Sequence, residues 1–240
     1  MENLVEGKNP VIEALRSGRP INRILLAKDI RSPEIISLAK QRGIVFEFVD
    51  KRVLDSKSMG RKHQGVIAYV SPQKYAEIED IIEAAKNKSE VPFILILDGI
   101  EDPHNLGAII RTSEATGAHG VIIGKRRAAP LTEIAARTSA GAVEYVPVAR
   151  VTNIAQTIET LKKQGVWVIG VDQGAKKLYN QADFKLPVAL VIGGEGSGIS
   201  RLVRERCEDL VKIPMKGKIS SLNASVAAAV VMYEVLRQRT

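Results

Sequence analysis

The chain has 240 residues, of which 45% are hydrophobic and 4% aromatic, and it carries a formal net charge of +8. That length suits two domains better than one, and the absence of an apolar run long enough to span a bilayer excludes a membrane protein of the helical kind. The positive charge suits a polyanion such as nucleic acid, held through its backbone by Lys and Arg, because aromatic residues are too sparse for rows of stacking rings.

Glu2, Glu6 and Lys8 interrupt the start of the chain, so no signal peptide is expected and the protein reads as soluble and cytoplasmic. The single cysteine, Cys207, excludes an internal disulfide and is expected to be a small buried residue on a helix. His63, His104 and His119 lie far apart with no ligand spacing, so no metal is expected.

Residues 1–72 read as a small α/β unit. Strands are expected at Arg23–Ala27, Ile44–Val49 and Val66–Val70. Between the first two, Ser32-Pro33-Glu34 supplies an N-cap with proline at the first helical position, and Gly43 ends that helix. Residues 73–90 read as a linker. Ile78, Ile81 and Ile82 predict a short amphipathic helix there, and the polar tract Lys86–Glu90 a hinge.

Residues 91–240 read as a parallel α/β domain. Strands are expected at Phe93–Leu97, Val121–Ile123, Val143–Ala149, Val166–Val171, Val188–Ile192 and Leu210–Ile213. Helices are expected at Asn105–Thr116, Thr132–Ala140, Asn153–Gln164 and Leu222–Arg239.

Ligands of such sheets bind beyond the carboxyl ends of the strands, and three loops there carry polar residues. After the first strand of this domain, Asn105 is placed to cap a helix, with Arg111 six residues on. A cation near a helix N-terminus opposes the macrodipole, which points to an anionic substrate. The second loop, Gly193-Gly-Glu-Gly-Ser-Gly198, fails as a dinucleotide loop. Its glycine spacing is not G-x-G-x-x-G, and Glu195 would repel a pyrophosphate. It permits a tight turn or close approach to a ligand without many phosphates. The third, Pro214–Asn223, brings Ser220, Ser221 and Asn223 to the start of the last helix, where capping explains one polar residue but not three.

The segments DPHNLGAIIRT, LVIGGEGSGIS and IPMKGKISSLNASVAAAVVMYEVLRQR resemble the three signature motifs of the SpoU (TrmH-like) RNA 2′-O-ribose methyltransferases of the SPOUT superfamily. GKNPVIEAL and RKHQGVIAYV are similar to the substrate-binding domain of the RlmB-like subgroup, which itself resembles a small ribosomal RNA-binding protein. The resemblance implies a SPOUT-type parallel sheet with a C-terminal deep trefoil knot, S-adenosyl-L-methionine as cofactor and a homodimer. It maps catalytic and substrate-orienting roles onto Asn105, Arg111, Glu195, Ser221 and Asn223. Cofactor contacts map to Gly193, Ile213 and Leu222, with Gly194, Gly196 and Met215 in the same loops. Ala224 stands where valine is frequent, a small apolar change.

The implied substrate is a ribose in RNA, with a guanosine of 23S ribosomal RNA first and transfer RNA as the alternative. A non-catalytic RNA-binding assembly factor is disfavoured by the complete residue set. Arg111 is either a base or a cation that stabilises the developing alkoxide. Arginine stays protonated in proteins, which favours the second. RNA-binding candidates are Arg61, Lys62 and His63, with Arg16 and Arg19, in the small unit. In the larger one they are Lys125, Arg126 and Arg127, with Arg137.

Overall fold

The structure is a computed structural model that describes residues 4–58, 63–71 and 74–240. The chain forms two compact units. One comprises Met1–Lys74 with Pro130–Glu133, and the other Tyr75–Ala129 with Ile134–Thr240.

The first unit runs β1 (Leu4–Glu6), α1 (Lys8–Arg16), β2 (Ile21–Ala27), α2 (Pro33–Gln41), β3 (Val45–Val49), α3 (Lys51–Lys57) and β4 (Val66–Val70). Its sheet order is β1-β4-β2-β3, with β2 and β3 parallel and the β1–β4 and β2–β4 pairs antiparallel. Successive strand residues face opposite sides, and here both sides are covered. Ile24, Leu26, Val66 and Ala68 pack with Val11 and Leu15 of α1 and Ile35 of α2. Leu25, Ala27, Ile67 and Tyr69 pack with Leu54 of α3. This is why the strands read as unbroken apolar runs rather than alternating ones. Ser32 stands at the N-cap position of α2 and Pro33 starts the helix as expected, but the Ser32 side chain makes no capping hydrogen bond.

The second unit runs α4 (Ile78–Asn87), β5 (Phe93–Asp98), α5 (Pro103–Ala115), β6 (Gly120–Gly124), α6 (Glu133–Thr138), β7 (Val148–Val151), α7 (Ile154–Lys163), β8 (Trp167–Val171), β9 (Lys177–Leu178), β10 (Val188–Gly193), α8 (Arg201–Arg206), β11 (Asp209–Lys212) and α9 (Ala224–Arg239). Its seven strands are ordered β7-β6-β5-β10-β8-β11-β9, and every pair is parallel. The chain steps outward from β5 to β6 and β7, then returns to build the other half. β10 then enters between β5 and β8, and β11 between β8 and β9. The order reverses at β5 and β10, which is where an open parallel sheet forms its ligand crevice. No helix among the described residues is long and apolar enough to cross a membrane.

Several elements differ from the sequence expectations. Val143–Ala149 is not one strand: a 3-10 turn takes Ala142–Glu144 and the strand begins only at Val148. Pro147 cannot donate to a ladder, and Tyr145 is 79% exposed. The helix expected from Asn105 starts earlier, at Pro103, and is capped by Asp102, whose carboxylate accepts from His104 N–H at 3.0 Å. Arg111 therefore lies well inside α5 rather than in its first turns, and the helix dipole gives no reason to place an anion beside it. Residues that read as a connector join the second unit's core, with Ile81 of α4 fully buried against Ile94, Ile96 and Ile122. The elements β1, α1, α3, β9 and α8 go beyond the sequence expectations. Cys207 caps the C-terminal end of α8, half-buried, and burial pushes its thiol up to about 12, so it is inert.

His119 sits at the amino end of β6 and is 2% exposed. Its Nδ1 accepts from Phe93 N–H at 3.0 Å, and its Nε2 lies 3.0 Å from a Glu90 carboxylate oxygen. Burial lowers its pKa below 6.5, with Lys88 and Arg239 adding to that and Glu90 opposing it. The unfolded chain then takes up a proton first as the pH falls. The stability contributed by this histidine is complete above about pH 6.5 and is lost below it. Thermal unfolding at about pH 8 and about pH 5 tests this. The wild type is expected to lose roughly 3 °C more between the two than His119→Asn, which keeps an acceptor but does not titrate. Equal losses would contradict it.

Candidate active site

The glycine loop after β10 is shaped by its own backbone. Gly194 N–H donates to the carbonyl of Asp98 at 2.9 Å, and the Asp98 carboxylate accepts from Ser200 N–H at 2.7 Å. The loop is thus stapled at both ends to the carboxyl end of β5. Gly198 N–H donates to the Gly194 carbonyl at 3.0 Å and closes the turn. A Cβ on Gly194 would lie 2.1 Å from the carbonyl oxygen of Gly99, and one on Gly193 would lie 2.2 Å from the carbonyl carbon of Gly198. No side chain fits at either place.

Glu195 projects from this turn and meets the other two loops. Its Oε1 accepts from Asn105 Nδ2 at 3.1 Å and from Asn223 Nδ2. Asn223 Nδ2 also donates to Asn105 Oδ1 at 3.0 Å. Three side chains that lie 28, 90 and 118 positions apart in the chain therefore form one closed triangle. Asn105 is 7% exposed, whereas Glu195 and Asn223 face solvent. The second carboxylate oxygen, Oε2, makes no hydrogen bond among the described residues. Asn223 also serves the helix that follows it. Its Oδ1 accepts from Ser225 N–H at 3.0 Å and Val226 N–H at 3.3 Å, which makes it the N-cap of α9. The helix expected from Leu222 begins after this cap, at Ala224.

The remaining candidates surround the triangle or lie elsewhere. Gly193 ends β10 and Ile213 follows β11. One strand, β8, separates them, so they stand two strand spacings, about 10 Å, apart at the same edge of the sheet. Ile213 is buried, Met215 and Leu222 are half-buried, and Gly196 and Ser221 are exposed. Arg111 is exposed, without an ion pair or hydrogen bond among the described residues, about 9 Å along α5 from Asn105.

Lys125, Arg126 and Arg127 follow β6 at this same edge, and Arg126 and Arg127 are exposed. Arg150 donates to the Lys125 carbonyl at 3.2 Å. Arg137 is exposed on α6. In the first unit, Arg16 is ion-paired to Glu34 at 2.7 Å and Glu13 at 3.3 Å, and Arg19 is exposed. His63 is buried and turned inward: Nε2 lies 2.9 Å from Asp55, and Nδ1 accepts from Gly65 N–H at 3.0 Å. Arg61 and Lys62 lie outside the described residues. Among the described residues no group of three His, Cys, Asp or Glu could hold a metal. Sequence reasoning missed Asp98 and Gly99. An acid at the last position of a buried strand, followed by glycine, was the available signal.

Residues 92–233 match the SpoU rRNA Methylase family, and residues 4–76 match RNA 2′-O ribose methyltransferase substrate binding. The chain belongs to the SpoU family. It is similar to YacO of Bacillus subtilis (strain 168), whose name places it among TrmH family tRNA/rRNA methyltransferases. The two are 50% identical over 238 residues, covering 98% of this chain and 95% of YacO. Among solved structures, the SpoU methyltransferase AviRb from Streptomyces viridochromogenes, in complex with AdoMet, is 28% identical with a TM-score of 0.64. The match covers 99% of this chain and 90% of AviRb. An AdoMet-bound rRNA methyltransferase from Sinorhizobium meliloti is 27% identical with a TM-score of 0.64, covering 99% of this chain and 87% of that one. This SpoU-family chain is an RNA methyltransferase.

The double role of Asn223 makes a test. Asn223→Asp keeps the oxygen that caps α9 but replaces the amide with an oxygen facing Glu195 and Asn105. Methyl transfer is expected to fall at least tenfold, about 1.4 kcal/mol, with Tm within a few degrees of wild type. Asn223→Ala loses the cap as well and is expected to be less stable by about 1 kcal/mol. Full activity in Asn223→Asp would break the assignment.

Proposed function

We propose that this protein transfers a methyl group from S-adenosyl-L-methionine to a ribose 2′-hydroxyl of RNA, with a guanosine of 23S ribosomal RNA as the target. The observation that carries this reading is the Asn105–Glu195–Asn223 triangle, which ties three loops into one crevice at the carboxyl edge of the parallel sheet. The match to an rRNA methyltransferase over 99% of this chain supports ribosomal over transfer RNA.

The residues present fit the cofactor. Glycine backbone at 193–198 and the apolar side chains of Ile213, Met215 and Leu222 suit an uncharged adenosine and a thioether, and no lysine or arginine lies in the glycine loop to hold a pyrophosphate. When bound, S-adenosyl-L-methionine supplies an electrophilic sulfonium methyl. Gly193, Ile213 and Leu222 would hold it, with Gly194, Gly196 and Met215 in the same loops. Glu195 is positioned by two amides, and its free Oε2 is available to a sugar hydroxyl. Ser221 and Asn223 orient the ribose.

A 2′-hydroxyl is a poor nucleophile at neutral pH, so positioning and management of one proton are the chain's contributions. Arg111 stands in solvent, with no partner among the described residues to take its proton. It acts as a cation that stabilises the developing alkoxide while water takes the proton. Lys125, Arg126 and Arg127 line the same sheet edge and contact RNA phosphates.

The same reading includes a homodimer, a cytoplasmic location and a deep trefoil knot formed by the chain around β10 and β11. In support of the dimer, α9 exposes Val226 (48%) and Tyr233 (53%), two turns apart on one face. In support of the knot, β10 enters between two strands laid down earlier in the chain.

Arg111→Ala is expected to abolish methylation while S-adenosyl-L-methionine binding by calorimetry stays within about twofold of wild type, under 0.5 kcal/mol. Near-normal methylation would sink the role given to Arg111. Mapping 2′-O-methyl sites in RNA from cells with and without the gene identifies the nucleotide. A site that vanishes from tRNA instead of 23S rRNA would overturn the substrate. Replacing Lys125, Arg126 and Arg127 with glutamine is expected to weaken RNA binding and flatten its dependence on salt. An unchanged slope would remove them from the RNA interface.

A further inference from the structure

Methylation of a 2′-hydroxyl releases one proton at the site, and a titratable side chain next to the triangle has no other role. His104 precedes Asn105 in the first turn of α5, and it is exposed. Its Nε2 makes no hydrogen bond among the described residues. His104 and Arg111 are seven residues apart on α5. That spacing puts them within about 20° of each other on one face of the helix and about 10 Å apart along it. Side chains of a helix lean toward its N-terminus, so Arg111 leans back toward His104. Ala108, between them on that face, is small and leaves the lane between cation and imidazole open.

The ring is held from one side. A Cβ on Gly107 would lie 2.6 Å from both the carbonyl oxygen of Ala135 and the Cβ of Thr138, so α5 and α6 approach there too closely for any side chain. That approach brings Thr138 Oγ1 to 3.4 Å from His104 Nδ1. A proton on Nδ1 donates to this hydroxyl oxygen and leaves the Nε2 lone pair free. The other two histidines are arranged the opposite way. Nδ1 of His63 accepts from Gly65 N–H, and Nδ1 of His119 accepts from Phe93 N–H. Each therefore carries its proton on Nε2, against Asp55 and Glu90 respectively. The charged groups around His104 are Glu101 and Asp102 before it, Arg111 on its own helix, Glu195 in the triangle, and Glu133 and Arg137 on α6. Asp102 is bonded to the backbone N–H of His104 and not to its ring.

We propose that His104 receives the proton of the ribose 2′-hydroxyl through one water, and that Thr138 is the positioning residue that fixes its ring. As the hydroxyl oxygen bonds to the methyl carbon, the O–H bond and the methyl–sulfur bond break. The sulfur keeps the electron pair, and the proton passes through the water to Nε2, from which it leaves to solvent. Arg111 keeps its own proton throughout. The proposal rests on the reading of the chain as a ribose methyltransferase and adds the destination of the proton.

Two measurements test it. In the ligand-free full chain, held above about pH 8 where histidine is neutral, imidazole nitrogen NMR is expected to show one ring protonated on Nδ1 and the other two on Nε2. The Nδ1–H signal is expected to vanish in His104→Gln and to move in Thr138→Val. Methyl transfer to ribosomal RNA from cells lacking the gene is then followed across the range in which histidine titrates, about pH 5 to 8. His104→Gln is expected to slow transfer on the order of a hundredfold and to lose the fall in rate toward acid pH that protonation of the imidazole causes. Its S-adenosyl-L-methionine affinity is expected to stay within about twofold of wild type. Thr138→Val is expected to slow transfer severalfold with the fall retained, and Thr138→Ser to restore it. Wild-type rate or wild-type pH dependence in His104→Gln, or an Nε2 proton on all three rings, overturns the proposal. A wild type that leaves ribose unmethylated sinks the underlying reading as well, whereas ribose methylation unchanged by His104→Gln sinks the role of His104 alone.

Discussion

One carboxylate oxygen holds three loops of the second unit together. Oε1 of Glu195 accepts from the amides of Asn105 and Asn223, which are themselves bonded. Hydrogen bonds to an ionised acceptor are stronger than neutral ones, and a closed set of three fixes each member against the other two. The geometry depends on two glycines. Gly194 must pass beside the Gly99 carbonyl for the turn to sit on β5, and Gly193 must pass beside Gly198 for the turn to close. Bulk at either position would move Glu195 away from both amides.

Asn223 extends the effect to the last helix. Its oxygen caps α9 while its amide completes the triangle, so the start of α9 and the position of the glycine loop are set by one side chain. The fold and the site are coupled at this point: the helix that ends the chain cannot shift along its axis without disturbing the residue that orients Glu195.

The parallel sheet is legible in the sequence because strands buried on both faces read as continuous apolar runs, as in Phe93–Leu97 and Val188–Ile192. The same signal misleads at Val143–Ala149, where Pro147 interrupts the apolar run. Asparagine favours the cap position, which points to Asn105, yet Asp102 and Pro103 together make the stronger start. The short helices α1, α3 and α8 escape a reading of periodicity, since six to nine residues give little of it. The triangle is not derivable from spacing at all. It exists because β10 enters beside β5, a choice of topology that local sequence does not encode. The family motifs name its three residues without revealing that they touch. In the small unit, His63 reads as a surface contact, but its ring is occupied by Asp55 and Gly65.

The most direct test of the triangle is a double-mutant cycle on methyl transfer with Asn105→Ala, Glu195→Ala and the pair. If the triangle acts as a unit, the first substitution removes most of what the second could remove, and the coupling energy is expected to be on the order of 1–3 kcal/mol. Effects that add within about 0.5 kcal/mol would show that the loops of Asn105 and Glu195 work independently and would contradict the central role given to Glu195.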